Sequence, residues 1–287
     1  MHKTFSCGVV LYNPTDSDLI EIKRYSELFD YVYVFDNTDT NYLDVYQKSI
    51  NELISCENIK YFSYKKNYGL SFAYNKFLDE CNTDYLCTMD QDSIFLRDDI
   101  INMKRKIETC KNDFALISPK IIYDDEKYMK RNEITKKSFV ISSGSFFNID
   151  ILKKNNLKFD ENYFIDRVDA DICMQLINSN LDIYEYDGAF LNQNLGQKNG
   201  HKHPNHSVLR NYYIFRNRFY FNNKYFPKKK IILNVLQVLK HISLILLFEN
   251  NKLKKIGMLF LAYSDYRNNN MGKFDGQKDV HGERRKK

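Results

Sequence analysis

The chain has 287 residues, 43% hydrophobic and 15% aromatic, with a formal net charge of +6. That length holds one large domain or a domain with an appendage, and that apolar content excludes a disordered or low-complexity protein. The charge is uneven: residues 197–287 carry 20 basic and five acidic groups, a net of +15, and the remainder carries 23 and 32, a net of −9. The second part therefore expects an anionic partner, either a nucleic acid or a membrane surface.

Met1-His2-Lys3-Thr4-Phe5 lacks the charged, apolar and small-residue layout of a secretion signal. The six cysteines (7, 56, 81, 87, 110 and 173) form no C-x-x-C pair. Reduced thiols in a cytoplasmic protein are expected.

Phe5–Tyr12 reads as a buried strand, ended by Asn13-Pro14, with Asp16 as the cap of the next segment. Leu19, Ile22, Tyr25 and Phe29 recur at helical spacing, and Tyr31–Phe35 is a second strand closed by Asp36-Asn37-Thr38. Leu43, Tyr46, Ile50 and Leu53 predict a second helix, Ile59–Tyr64 a third strand, and Leu70, Ala73, Phe77 and Leu78 a third helix face. A fourth strand ends at Asp90. Four strand–helix alternations predict a parallel sheet with helices on both faces. Further on, Phe114–Ser118 and Phe139–Ile149 read as strands and Asp166–Asn180 as a helix. One compact domain to about residue 205 is expected, its nucleotide half about 1–95 and its acceptor half about 96–205, with 206–287 a helical basic extension.

Two signals carry chemistry. Tyr85-Leu86-Cys87-Thr88-Met89 is an apolar run that ends in Asp90-Gln91-Asp92, two carboxylates one residue apart at the carboxyl end of a strand. Open α/β sheets bind ligands there. Such a pair suits a divalent cation that shares its shell with a substrate diphosphate. The second signal lies in the extension. Residues 210–218 interleave arginines with aromatics, and residues 231–248 are mostly apolar except for a stripe at Asn234, Gln237 and Lys240, bordered by Lys228-Lys229-Lys230 and Lys252-Leu253-Lys254-Lys255. A helix lying in the plane of an anionic membrane surface fits this pattern better than a spanning one.

Ordered along the chain, these segments resemble the inverting family 2 glycosyltransferases of the GT-A fold, within them the bacterial rhamnosyltransferase branch. The resemblance rests on Val9-Val10-Leu11-Tyr12-Asn13-Pro14, Val34-Phe35-Asp36-Asn37, Asn67-Tyr68-Gly69-Leu70-Ser71, Asp90-Gln91-Asp92-Ser93, Ser143-Gly144-Ser145, Phe164-Ile165-Asp166-Arg167-Val168-Asp169-Ala170-Asp171 and Arg210-Asn211-Tyr212-Tyr213. It implies a Rossmann-like, mostly parallel central sheet with helices on both faces. It also implies a nucleotide-sugar site lined by Tyr12, Asn13, Asp36, Lys66, Asn67, Gly69, Asp90 and Gln91, with Asp36 contacting the nucleobase. Asp92 would ligate Mg²⁺ or Mn²⁺. Asn194 stands where the family often has a metal- or phosphate-binding histidine, with His201, His203 and His206 close behind. Asp169 would be the general base, with Asp166 as alternate, sharing a helix face at i, i+3, and Asp171 in support. Arg210 and Arg216 would clamp phosphates.

The implied activity is transfer of L-rhamnose from dTDP-L-rhamnose to a lipid-linked bacterial surface glycan at the inner face of the cell membrane. A UDP-hexose donor is the alternative, and a homo-oligomer is compatible with either. Nucleic-acid binding is the alternative class, motivated by the basic third and its aromatics. It lacks a recognition motif, so no nucleic-acid partner is expected.

Overall fold

The structure is a computed structural model, and it describes residues 2–39, 47–123, 128–193, 205–274 and 276. Leu43, Tyr46, Asn194, His201 and His203 lie outside the described residues.

β1 (Phe5–Leu11) is buried along its whole length. α1 (Asp16–Ser26) follows, and its cap is Thr15 rather than Asp16. The Thr15 N–H donates to the Asp18 carboxylate (2.7 Å) while the Thr15 hydroxyl accepts from the Asp18 N–H, a reciprocal box that leaves Asp16 as the first helical residue. β2 (Tyr31–Asp36), α2 (Gln47–Ile54), β3 (Ile59–Ser63), α3 (Leu70–Glu80) and β4 (Tyr85–Asp90) complete the regular alternation. These strands lie in the order β3-β2-β1-β4, all parallel. Parallel neighbours need crossover connections, and the amphipathic helices lie in them. The register pairs Leu11 with Asp36 and Val10 with Asp90, so the two acidic strand ends flank the end of β1.

The sheet then continues less regularly through β5 (Ser93–Phe95), α4 (Arg97–Thr109), β6 (Leu116–Tyr123), β7 (Ile134–Lys136), β8 (Phe146–Asn148), α5 (Ile149–Lys154), α6 (Val168–Asn178) and β9 (Ile183–Gln193). Among the described residues nine strands result, ordered β3-β2-β1-β4-β8-β6-β9-β5, with β7 on β9. β8 is antiparallel to both β4 and β6, and β6 is parallel to β9. The strand expected over Phe139–Ile149 shrinks to Phe146–Asn148. Before it, Gly144 takes a left-handed φ of 76°, and Ser145 N–H bonds back to the Ser142 carbonyl. That turn brings Ser143 to Thr88 as a single bridge beside β4.

The described residues divide into two compact units, Met1–Asp160 with Ile172–Asn194, and Glu161–Asp171 with Leu195–Lys287. The first unit has its core under the sheet, where Phe29 stacks on Phe146 and Phe5 on Tyr85. Its cysteines are free thiols, with Cys7, Cys81, Cys87 and Cys173 buried.

The second unit is helical: α7 (Val208–Tyr225), α8 (Lys230–Phe248) and α9 (Lys252–Arg267). Its core joins Tyr212, Phe215 and Phe219 of α7 to Ile245 of α8 and Leu261 of α9. Polar groups pair inside it. Lys255 and Glu249 are both buried and meet at 2.7 Å, and His241 meets Asn211 at 2.7 Å. Lys255 is therefore internal and no part of a basic border. The Asn222 amide of α7 donates to Asn234 (2.7 Å) and Gln237 (3.1 Å). The polar positions 234 and 237 of α8 thus turn toward α7, Ile245 joins the core, and a second set of apolar positions, among them Ile231, Ile232, Val235, Leu236, Leu239 and Leu247, is exposed.

Close packing in the first unit fixes one backbone position. A Cβ on Gly8 of β1 would sit 2.4 Å from the Phe77 ring of α3. Gly8→Val is expected to destabilise the protein by about 1–3 kcal/mol through overpacking, read as a lower urea midpoint with an unchanged slope.

Candidate active site

The carboxyl ends of β1, β2 and β4 and the start of α3 build a rim from short polar side chains. Asn37, directly after β2, bonds the segment before α3 twice: its Nδ2 donates to the Gly69 carbonyl (3.2 Å) and its Oδ1 accepts from the Tyr68 N–H (2.9 Å). Asn67 Oδ1 accepts from the Gly69 N–H (2.9 Å). Gly69 has φ 89° and ψ 178°, a conformation open to glycine, and its missing side chain lets backbone face the rim. Lys66 is exposed, its ammonium 5.5 Å from the Tyr68 ring centre. Across the rim, Asn13 takes a left-handed φ of 49°, and its N–H donates to the Thr38 hydroxyl (2.8 Å). The neighbouring Tyr12 ring is 48% exposed.

Asp36 departs from its expected role. Its side chain is fully buried; Oδ1 accepts from the Thr38 N–H (2.8 Å) and Oδ2 from the Tyr61 hydroxyl (2.6 Å). It shapes the rim from beneath and presents no edge to a nucleobase. Gln91 is likewise engaged. Its Oε1 accepts from the Tyr12 N–H (2.7 Å) and its Nε2 donates to the Tyr12 carbonyl (3.2 Å), so both ends of its amide are spent on the backbone of residue 12. Asn37 and Thr38 carry more of the rim than the sequence reading assigned them. Their place just after a strand, where short polar side chains bond nearby backbone, is the signal that marks them.

Asp90 and Asp92 stand at the end of β4. Asp90 is half-buried, with Oδ1 accepting from the Tyr74 hydroxyl (3.1 Å) and its N–H donating to the Ser143 hydroxyl (3.1 Å). Nothing in the sequence connects Tyr74 or Ser143 to Asp90. Asp92 is exposed. Among the described residues no group of three His, Cys, Asp or Glu side chains could hold a metal ion. Two carboxylates at an open edge fit Mg²⁺ or Mn²⁺, hard cations that take the rest of their shell from water and substrate phosphate.

The second unit holds the other three aspartates. Asp166 and Arg167 both have left-handed φ, 61° and 69°, and α6 begins only at Val168. Asp166 is therefore outside the helix, and the expected i, i+3 face shared with Asp169 does not form. The unusual backbone is clamped by Asn217, whose Nδ2 donates to the carbonyls of Ile165 (2.6 Å) and Asp166 (3.1 Å). The Asp166 carboxylate pairs with Arg210 at 3.2 Å. Asp171 is buried, bonded to Lys224 and the Tyr225 hydroxyl, each at 2.8 Å. Asp169 is half-buried in the first turn of α6.

Arginines surround this segment. Burial, with Arg167 adding like charge and Asp166 opposing, pushes the Arg218 guanidinium down to about 10. Arg167 is lowered by burial too, and rests 5.2 Å from the Phe221 ring. Arg216 corrects an expectation. It is fully buried and donates to the Tyr212 hydroxyl (3.2 Å) and the carbonyls of Asn270 (3.2 Å) and Gly272 (2.7 Å). It braces the end of α9 and is not presented to a phosphate. Arg210 is half exposed.

A parallel β–α half with polar strand ends, joined in one sheet to a mixed half, is the GT-A arrangement of nucleotide-sugar transferases. Residues 18–170 match the sequence profile of Glycosyl transferase family 2, and the chain belongs to that family. No curated protein sequence matches it. Among solved structures it is similar to S. aureus TarS residues 1–349 in complex with UDP-GlcNAc, with 15% identity over 92% of this chain and 80% of that one and a TM-score of 0.57. It is also similar to GalNAc-T7 with UDP, GalNAc and Mn²⁺, with 11% identity over 79% of this chain and a TM-score of 0.57; it spans about half of that protein, 52%. At these identities the likeness establishes the fold.

Gln91→Leu removes both bonds to the Tyr12 peptide at an edge site. The expected result is a several-fold higher KM for the donor with a stability loss of about 1 kcal/mol, read from donor titrations and a urea melt on the same protein.

Proposed function

We propose that this chain is a metal-dependent inverting glycosyltransferase that moves L-rhamnose from dTDP-L-rhamnose onto a lipid-linked bacterial surface glycan. The observation that carries the reading is the convergence of Tyr12, Asn67, Gly69 and the Asp90–Asp92 pair at one edge of a family 2 sheet. The exposed Tyr12 ring offers a stacking face to the pyrimidine, the Gly69 backbone admits the nucleoside, and the Lys66 ammonium meets the diphosphate. Asp92, with Asp90, would hold Mg²⁺ or Mn²⁺, which supplies charge neutralisation to the departing nucleoside diphosphate.

Asp169 is the general base. It accepts the proton of the acceptor hydroxyl as that oxygen bonds to the anomeric carbon. The bond from this carbon to the diphosphate oxygen breaks on the opposite side, which inverts the centre and releases the nucleoside diphosphate. Asp171, locked to Lys224 and Tyr225, is spent on structure, and Asp166 is tied to Arg210. Its position in the family motif makes Asp169 the base, with Asp166 as the alternate. Arg210 would meet an acceptor phosphate.

A second reading keeps the mechanism and changes the donor to a UDP-hexose such as galactose, glucose or an N-acetylhexosamine. It is favoured by the UDP-GlcNAc bound to TarS and the UDP and GalNAc bound to GalNAc-T7.

The test is a donor panel with the full chain, following release of nucleoside diphosphate from dTDP-L-rhamnose, UDP-glucose, UDP-galactose and UDP-N-acetylglucosamine with Mg²⁺ or Mn²⁺, alongside direct donor binding. Release from dTDP-L-rhamnose alone is expected; release from a UDP-sugar alone replaces the first reading by the second; binding of none of the four defeats both. Asp92→Ala should abolish metal-dependent donor binding. Asp169→Asn should keep donor binding and lose about 10²–10⁴-fold in turnover, the usual worth of a general base. Near-normal turnover of Asp169→Asn, with Asp166→Asn inactive, would move the base to Asp166.

A further inference from the structure

We infer that the outer face of α8 is a docking surface for an anionic lipid bilayer, with the helix lying flat in the bilayer surface. Three observations within the helical unit converge on this, and none depends on the transferase reading.

The first is an inside-out helix. Ile231, Ile232, Val235, Leu236, Leu239 and Leu247 are 53–73% exposed, at positions that share one helix face. Asn234, Gln237 and His241 point the other way, the first two to Asn222 and the third to Asn211, while Lys240 and Ser243 are exposed beside the apolar residues. A helix bathed only in water is expected to show the reverse arrangement. Contiguous apolar surface of this extent marks an interaction site.

The second observation selects flat docking over spanning. α8 has 19 residues and is long and apolar enough to cross a membrane by length and composition. Crossing would strip Asn234, Gln237 and His241 from their partners on α7 and put three polar side chains into hydrocarbon. Lying flat keeps every one of those bonds and sinks only the apolar face, by about 5–10 Å.

The third observation concerns charge. Between residues 205 and 274 the sequence has two acidic residues, Glu249 and Asp265, and both are buried, Glu249 paired with Lys255 and Asp265 bonded to the Tyr212 hydroxyl. Lys228 and Lys229 before α8, and Lys252 and Lys254 after it, are exposed. Both ends of the apolar face are thus cationic with no exposed acid in that segment, which complements anionic headgroups. A second copy of the chain is a poor occupant. Whether two α8 helices met parallel or antiparallel, lysines would face lysines at both ends. A nucleic acid is poorer still, because its backbone demands cations across the contact face itself.

The experiment is flotation of the full chain with vesicles of phosphatidylcholine alone and of phosphatidylcholine mixed with phosphatidylglycerol, with sedimentation of the vesicle-free protein in parallel. The chain is expected to float with the mixed vesicles and to lose binding as salt is added. The double variant L236E/L239E, on the exposed face, should lose at least tenfold in partitioning while circular dichroism shows its helices kept. Replacing Lys228, Lys229 and Lys230 by Gln should cost on the order of a hundredfold on the mixed vesicles, since each cation near an anionic surface is worth about fivefold. This charge variant leaves the helix face intact and stands as the second arm should the first fail to fold. Absence of the wild-type chain from both vesicle fractions overturns the proposal. So does unchanged flotation of L236E/L239E. A vesicle-free dimer that L236E/L239E converts to monomer, without flotation of the wild type, would make a second copy the occupant.

Discussion

Parallel pairing of β1 with β2 on one side and β4 on the other is the constraint on which the polar rim depends. Parallel strands end at the same edge, so Leu11, Asp36 and Asp90 are delivered to one line by backbone hydrogen bonding alone. Tyr12 and Asn13 leave that line from β1, Asn37 and Thr38 from β2, and Asp92 from β4. None of these side chains has to find the others. The apolar interiors of the strands hold the register, because a slip of one residue would exchange the two buried faces of β1, β2 and β4 and lose the packing on both. Gly8 serves the same end from below, admitting Phe77 to the sheet so that α3 can start at Gly69 where the rim needs it.

The helical unit is organised differently. Its helices are joined by apolar packing, but their register is specified by buried polar pairs: Lys255 with Glu249, His241 with Asn211, and Asn222 with Asn234 and Gln237. A shift of α8 along α7 by one turn would break the polar pairs between those two helices at once. Removing one member of the Lys255–Glu249 pair would leave an uncompensated buried charge, which costs far more than the pair contributes. Such pairs give a helix with an apolar outer face a reason to keep one orientation, which hydrophobic burial alone would not supply.

What was legible in the sequence follows the same division. The first four strands and the helices after the first and third strands were visible because each apolar run is long and periodic. Between Ser93 and Asn148 the strand read at Phe114–Ser118 is present as β6, but the other strands are only three residues long and the apolar stretch before Ile149 is cut by the turn at Gly144. At the site, residue identities could be read but not their engagements. Asp36 and Arg216 have the right chemistry for a ligand and are buried among protein partners. The left-handed backbone at Asp166 and Arg167 has little sequence signature, since aspartate adopts it only sometimes and arginine rarely, and it removes Asp166 from the helix that contains Asp169. The stripe on α8 was visible as a stripe; only the positions of Asn222 and Asn211 on α7 reveal which way it turns.

The Gln91 side chain imitates a peptide group. By accepting from the N–H of residue 12 and donating to its carbonyl, it adds a counterfeit rung to the β1–β4 ladder where the true strands have ended. The acidic loop and the aromatic loop are thereby one mechanical piece. A ligand that draws the Asp90–Asp92 loop toward itself draws the Tyr12 ring with it, and one that settles against Tyr12 presets the acidic loop. The free energies of occupying the two places are then linked, each raising or lowering the other by the same amount.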